Sequence, residues 1–182
     1  YTSIQTDSSI RRGDLRMLFH PFSRFRRYAL CVLVGVPIWY VASILMMFAP
    51  EIGKELETTG PLRAGKAIMY SYVGVVAGDL LTGWLSHWWN SRKKVVLAGM
   101  VLEAVLVLVI LLWRGMSPTA YYALCVALGF STGYWAVAVT LAAEQFGTNL
   151  RATAATSVPN FIRGSAVLMT LGYEKLCLRM DP

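Results

Sequence analysis

Apolar residues run in long blocks separated by short polar joints. Five windows, at roughly 28–49, 67–89, 95–113, 121–143 and 152–173, reach the length of about 20 mainly apolar residues that a transmembrane helix needs. The joints between them read PEIGKELETTGPLRAGK, NSRKK, RGMSPT and EQFGTNLR. Two of these joints are punctuated by Gly and Pro, as turns should be. The pattern predicts an all-α membrane protein of about five transmembrane helices, with residues 1–27 as a basic loop segment and 28–182 as a membrane bundle.

Composition agrees with the periodicity. Of 182 residues, 56% are hydrophobic and only 15% are charged, which places the chain outside the usual soluble balance. The formal net charge of +7 does not call for nucleic acid, because the basic residues form short clusters between apolar runs instead of covering one face. Lipid headgroups are the expected partners of those clusters, and no nucleic acid is expected. Cys31, Cys125 and Cys177 are far apart and without metal-ligand spacing, so they read as small buried hydrophobes. No cofactor or metal site is expected.

Where Lys and Arg fall predicts the orientation, since cytoplasmic joints are enriched in them. Arg11, Arg12, Arg16, Arg24, Arg26 and Arg27 precede the first window; Arg92, Lys93 and Lys94 fill the second joint; Arg151 lies in the fourth. All three groups lie on one side of an alternating topology. The other side has Lys54, Arg63, Lys66 and Arg114, partly offset by Glu51, Glu55 and Glu57, and then Lys175 and Arg179. The bias predicts a cytoplasmic N-terminus, an external C-terminus and a bacterial cytoplasmic membrane as the location. Residues 11–27 mix arginines with Leu15, Met17, Leu18, Phe19, Phe22 and Phe25, a composition suited to the headgroup plane, although Pro21 breaks any long helix there.

Three ionisable residues, Asp79, Glu103 and Arg163, sit inside apolar windows. Each would cost about 2.5–3.5 kcal/mol or more if it faced lipid at a helix centre, so each is expected to face protein or water. At a rise of about 1.5 Å per residue, all three lie about 12–17 Å from the basic side. An ion-pair network follows as an expectation, with Arg163 drawn to Asp79, to Glu103, or to each in different states. Tyr72, Thr82, Gly83 and Ser86 share a helix face with Asp79; Thr156, Asn160 and Thr170 share one with Arg163, where Pro159 loosens the helix. Both faces read as cavity-lining. Glu103 has only Gly99 as a small neighbour, which makes it the better proton site by environment and the worse by cavity polarity. A structural role, fixing helix register, competes with substrate or proton handling for all three. GFSTG at 129–133 allows close helix approach, and Tyr134 and Trp135 after it either line a cavity or fill the core.

GWLSHWWNSRKKVV, residues 83–96, resembles a degenerate copy of the major facilitator superfamily signature G-x-L-A-D-R-x-G-R-[RK]-[RK], found between the second and third helices of each half. Gly83, Leu85, Ser86, Arg92 and Lys93 fit it; His87, Trp88 and Asn90 depart from it. AAEQFGTNLRATA, residues 142–154, is similar to the Glu-x-φ-x-T-x-x-R-[AG] joint between the tenth and eleventh helices of metabolite and sugar porters, with Glu144 and Arg151 in the matching positions. The resemblance implies helices seven to eleven of a transporter's C-terminal half, with a missing N-terminal half as partner. It implies that Arg92, Glu144 and Arg151 form a cytoplasmic salt-bridge cluster that holds one gating state. The function implied is secondary active transport, moving a small organic solute across the membrane by alternating access at a midplane site, with protons as the coupling ion of a symporter.

The candidates for substrate or proton coupling are therefore Asp79, Glu103, Arg163, Asn160, Tyr72, Tyr134 and Trp135, and those for gating are Gly83, Arg92, Lys93, Glu144 and Arg151. A non-transporting scaffold or receptor-like subunit is the alternative. An intramembrane enzyme is disfavoured, because His20 and His87 both lie near the cytoplasmic boundary and no nucleophile–base pair stands out.

Overall fold

A computed structural model describes residues 16–180, with side chains from Leu18 to Leu176. The arginines at 11 and 12 lie outside the described residues, as do the side chains of Arg16, Cys177 and Arg179. Among the described residues there is no strand. The helices are α1 (Arg16–Phe19), α2 (Phe22–Tyr40), α3 (Ala49–Glu55), α4 (Ala64–Trp88), α5 (Arg92–Leu112), α6 (Pro118–Thr132), α7 (Trp135–Glu144) and α8 (Thr148–Met180). After Pro37, α2 runs on through a π-helical stretch, Val41–Met46.

Four segments are long and apolar enough to cross a membrane: Phe22–Met46, Ala64–Trp88, Arg92–Leu112 and Pro118–Glu144. The described residues thus form an all-helical membrane protein in which four helices meet this criterion, where the sequence predicts about five. The fifth window, 152–173, lies within α8, which at 33 residues is long enough. Thr153, Thr156, Ser157, Asn160, Arg163, Ser165 and Thr170 dilute its apolar character.

The first boundary also differs. α2 begins at Phe22, so Arg24, Arg26 and Arg27 occupy its opening turns instead of a preceding loop. Their long apolar stems let such residues remain in a helix while the charges reach water or headgroups. Leu18 of α1 is fully buried, whereas Phe19, Phe22 and Phe25 are exposed on the same basic end.

Outward faces carry large apolar side chains, among them Val76, Leu80, Val101, Leu108 and Leu112. In water such exposure would be unfavourable; in hydrocarbon it matches the solvent. Trp84 and Trp88 stack with ring centroids 5.8 Å apart near the end of α4, where an aromatic belt belongs. The joint to α5 turns at Asn90, whose φ of 46° is one that Asn adopts more readily than bulkier residues.

Two apolar clusters close the ends of the bundle. At the basic end, Leu18, Tyr28, Ala142, Phe146, Val158 and Ile162 pack α2 against α7 and α8. At the other end, the π-helical stretch and α3 pack on α4, α5 and α6 through residues including Leu45, Ile52, Leu62, Ile110 and Leu128. The joint after the first span is therefore not simply polar: it folds as α3 with Ile52 and Leu56 buried. Tyr121, fully buried, donates its hydroxyl hydrogen to the Leu45 carbonyl at 2.6 Å, supplying a partner inside the π-helical stretch.

The short α4–α5 joint leads to only a short contact between those helices, because α4 packs chiefly along α6. Glycine explains that choice. A Cβ on Gly74 would run into the Val126 carbonyl, one on Gly78 into the Phe130 carbonyl, and one on Gly129 into the Ser71 carbonyl. The backbones of α4 and α6 touch, a geometry that small residues make available in membranes.

Candidate functional site

The site begins where the fourth span breaks. Ser131 and Thr132 turn their hydroxyls back onto the carbonyls of Leu128 and Gly129, at 2.7 and 2.8 Å. Such back-bonding loosens a helix, and Gly133 ends α6. α7 restarts at Trp135, so its first N–H groups have no partners within their own helix.

α4 supplies what the break leaves open. Thr82 donates to the Gly133 carbonyl at 2.6 Å. Asp79, one turn away on the same face, turns its carboxylate toward the Ala136 backbone N–H at the start of α7. A carboxylate at a helix N-terminus is favoured by the free N–H groups and by the helix dipole. Thr82, read above as lining a cavity, is a buried cross-helix contact.

Glu103 is 2% exposed and meets Tyr134, which is fully buried. The Tyr134 hydroxyl is 3.0 Å from Glu103 Oε2, while Oε1 is buried without a partner. Gly99 makes the contact possible, since a Cβ there would strike the Tyr134 ring. Of the two roles open to Tyr134, core filling is the one its burial supports; Trp135 instead lines a cavity.

That cavity, about 770 Å³ and half open, lies between α2 with its π-helical stretch, α4, the α6–α7 break and α8. Tyr72, Thr132, Trp135, Arg163 and Thr170 lie on its wall, and Arg163 is the only charged residue there. Asn160 joins them through a contact of 3.5 Å to the Arg163 guanidinium. Trp39, Ser43 and Ser71 also line the wall. Trp39 and Ser43 lie in the first apolar window, which contains no Asp, Glu, Lys or Arg to draw attention to it, and Ser71 lies in the second, away from the positions that share a face with Asp79.

The expected network of three charges is not formed. Arg163 meets neither Asp79 nor Glu103, and Arg92–Glu144 is the one ion pair among the described residues. The reason is direction, not depth. Glu103 points to Tyr134 and Asp79 to α7, whereas α8 carries Arg163 along α2 and α7 to the cavity side.

At the basic end, Arg92 at the start of α5 pairs with Glu144 at the end of α7, both side chains being about half exposed. Gly83 and Lys93 line the same depression, of about 750 Å³. Arg151 is exposed and stands outside the pair, so the implied cluster is reduced to two members. A Cβ on Gly83 would meet nothing. Among the described residues, no three His, Cys, Asp or Glu side chains group as metal ligands.

No protein-family model, curated protein or solved structure matches the chain.

Proposed function

We propose that this chain is part of a secondary transporter that moves a small organic anion by alternating access, driven by protons. The observation that carries the reading is the half-open cavity of about 770 Å³ with Arg163 as its single charge, held among helices that are otherwise apolar. A guanidinium inside such a bundle is costly unless a partner or water meets it, and a carboxylate or phosphate on a solute would be that partner. Aromatic neighbours Tyr72 and Trp135 offer flat apolar surface to the rest of the solute.

Glu103 is the proton site of this proposal, because it is the most enclosed carboxyl and one of its oxygens has no partner. Asp79 is assigned to holding the α6–α7 break. The resemblance to the major facilitator superfamily supplies the rest: a second helical half closes the open side of the cavity, and Arg92–Glu144 holds one gating state. The concentration of Arg and Lys at one end supports a cytoplasmic location for that end, and we propose a bacterial cytoplasmic membrane as the setting.

The test is uptake of labelled organic anions by the full-length protein in proteoliposomes under a pH gradient. Native protein should accumulate solute, Glu103→Gln should exchange without accumulating, and Arg163→Gln should do neither. Saturable binding with no uptake by native protein would favour a receptor-like subunit and sink the transport reading.

A further inference from the structure

A second cavity, about 330 Å³, lies nearer the basic end than the Arg163 cavity, between α2, α5 and α7. Its construction is regular. α2 and α5 both run inward from the basic end, and each presents a cation first and apolar side chains one and two turns deeper. On α2 the order is Arg27, then Leu30 and Cys31, then Val34; on α5 it is Lys93, then Val96 and Leu97, then Met100. Spacings of three, four and seven keep each series on one helix face, over a depth of about 10 Å. α7 forms the floor with Ala138, Leu141 and Ala142, whose two alanines keep the groove open, and Gln145 brings an amide to the rim.

The rim is cationic and the interior apolar. Among the described residues that line the groove none is acidic, and neither Arg27 nor Lys93 belongs to the ion pair that Arg92 and Glu144 form. Leu30 and Leu97, 51% and 63% exposed, open the groove sideways toward the hydrocarbon instead of toward water. An amphiphile with an anionic head and an alkyl tail satisfies both parts, and the bilayer is its source.

We propose that this groove binds an anionic phospholipid, with the headgroup phosphate between Arg27 and Lys93 and an acyl chain along Leu30, Val34, Leu97 and Met100. A free phosphate would satisfy the rim alone and leave the apolar channel unfilled. A lipid seated here would fasten α2 to α5, both of which pack on α7.

The test uses the full chain purified in a neutral detergent, with thermal unfolding followed as phosphatidylglycerol, phosphatidylcholine or inorganic phosphate is added. Phosphatidylglycerol should raise the midpoint by several degrees more than phosphatidylcholine, and inorganic phosphate should not reproduce the rise. Arg27→Gln with Lys93→Gln should abolish the difference between the lipids. Arg24→Gln with Lys94→Gln removes the same charge just outside the groove and should preserve it. Equal stabilisation by both lipids, a matching rise with phosphate, or an equal loss in the two double variants would each overturn the proposal.

Discussion

The Tyr134 hydroxyl lies 3.0 Å from Glu103 Oε2 and 3.3 Å from the Val34 carbonyl oxygen, so one hydrogen stands between acceptors on two helices, α5 and α2. A phenol has a single hydrogen to give. When Glu103 is charged, that hydrogen belongs to the carboxylate. When Glu103 carries a proton, the carboxyl can donate to the phenol oxygen, and the tyrosine hydrogen is released to Val34. On the proposed proton role of Glu103, protonation on α5 would thereby be communicated to α2 three residues before Pro37.

Glu103→Gln fixes the donor arrangement, because a carboxamide N–H can serve the phenol oxygen at any pH. In proteoliposomes this variant should retain solute exchange and lose gradient-driven accumulation. Tyr134→Phe should separate the relay from the acid. It leaves Glu103 in place but removes the hydroxyl, at a stability cost of about 0.6 kcal/mol, the average for an interhelical hydrogen bond in a membrane protein. If accumulation survives in both variants, Glu103 is a structural acid.

The α4–α6 contact gives a prediction that does not depend on transport. Gly129→Val places branched carbon against the Ser71 carbonyl, and the two backbones must separate. Overpacking of this kind costs about 1–3 kcal/mol, and thermal unfolding in detergent should show it. Gly164→Ala is the matched control, since nothing lies near a Cβ there and alanine is the better helix former. The control should unfold at the native temperature or above it.

These relationships divide cleanly into those readable along the chain and those that are not. Hydropathy located four of the five windows on long apolar helices to within several residues, because apolar blocks must match the bilayer thickness whatever they pack against. Position along the helices was legible too: Asp79, Glu103 and Arg163 can be placed by counting residues. Azimuth was not. Whether Asp79 faces Arg163 or α7 depends on how α4 rolls on α6, and that roll is set jointly by Gly74, Gly78 and Gly129 on two helices. GFSTG announced a close approach, but only the three-dimensional contact shows that the same stretch ends α6 and leaves the start of α7 for Asp79. Gly83 is the converse case: the signature resemblance singles it out, yet the surrounding space would admit a side chain.

Arg163 is exposed to the cavity, so replacing it should affect binding more than folding. Arg163→Gln should weaken an anionic solute about tenfold or more, the scale expected for one charge-assisted hydrogen bond. Arg163→Lys retains the charge and loses the planar pair of donors, so it should restore part of that affinity. Competition of labelled solute on the purified protein distinguishes the three. Equal affinity in all of them would move the solute elsewhere.

Asp79 offers the sharpest separation between holding the fold and moving protons. Its carboxylate faces the Ala136 N–H, and its Oδ1 is buried with no partner. Asn retains an oxygen that can accept from a helix N-terminus, and Asn is among the preferred residues for that task. Leu retains volume and offers no acceptor. If Asp79 serves the α6–α7 break, Asp79→Asn should unfold close to native and keep gradient-driven uptake. Asp79→Leu should lose about 0.5–2 kcal/mol, the range for removing a helix cap. If Asp79 carries the coupling proton instead, Asp79→Asn should fold normally and fail to accumulate solute, which would transfer the role now assigned to Glu103. Thermal unfolding and uptake measured on the same two preparations decide between these outcomes, because the cap ranks the variants by their acceptors and the proton role ranks them by their acidity.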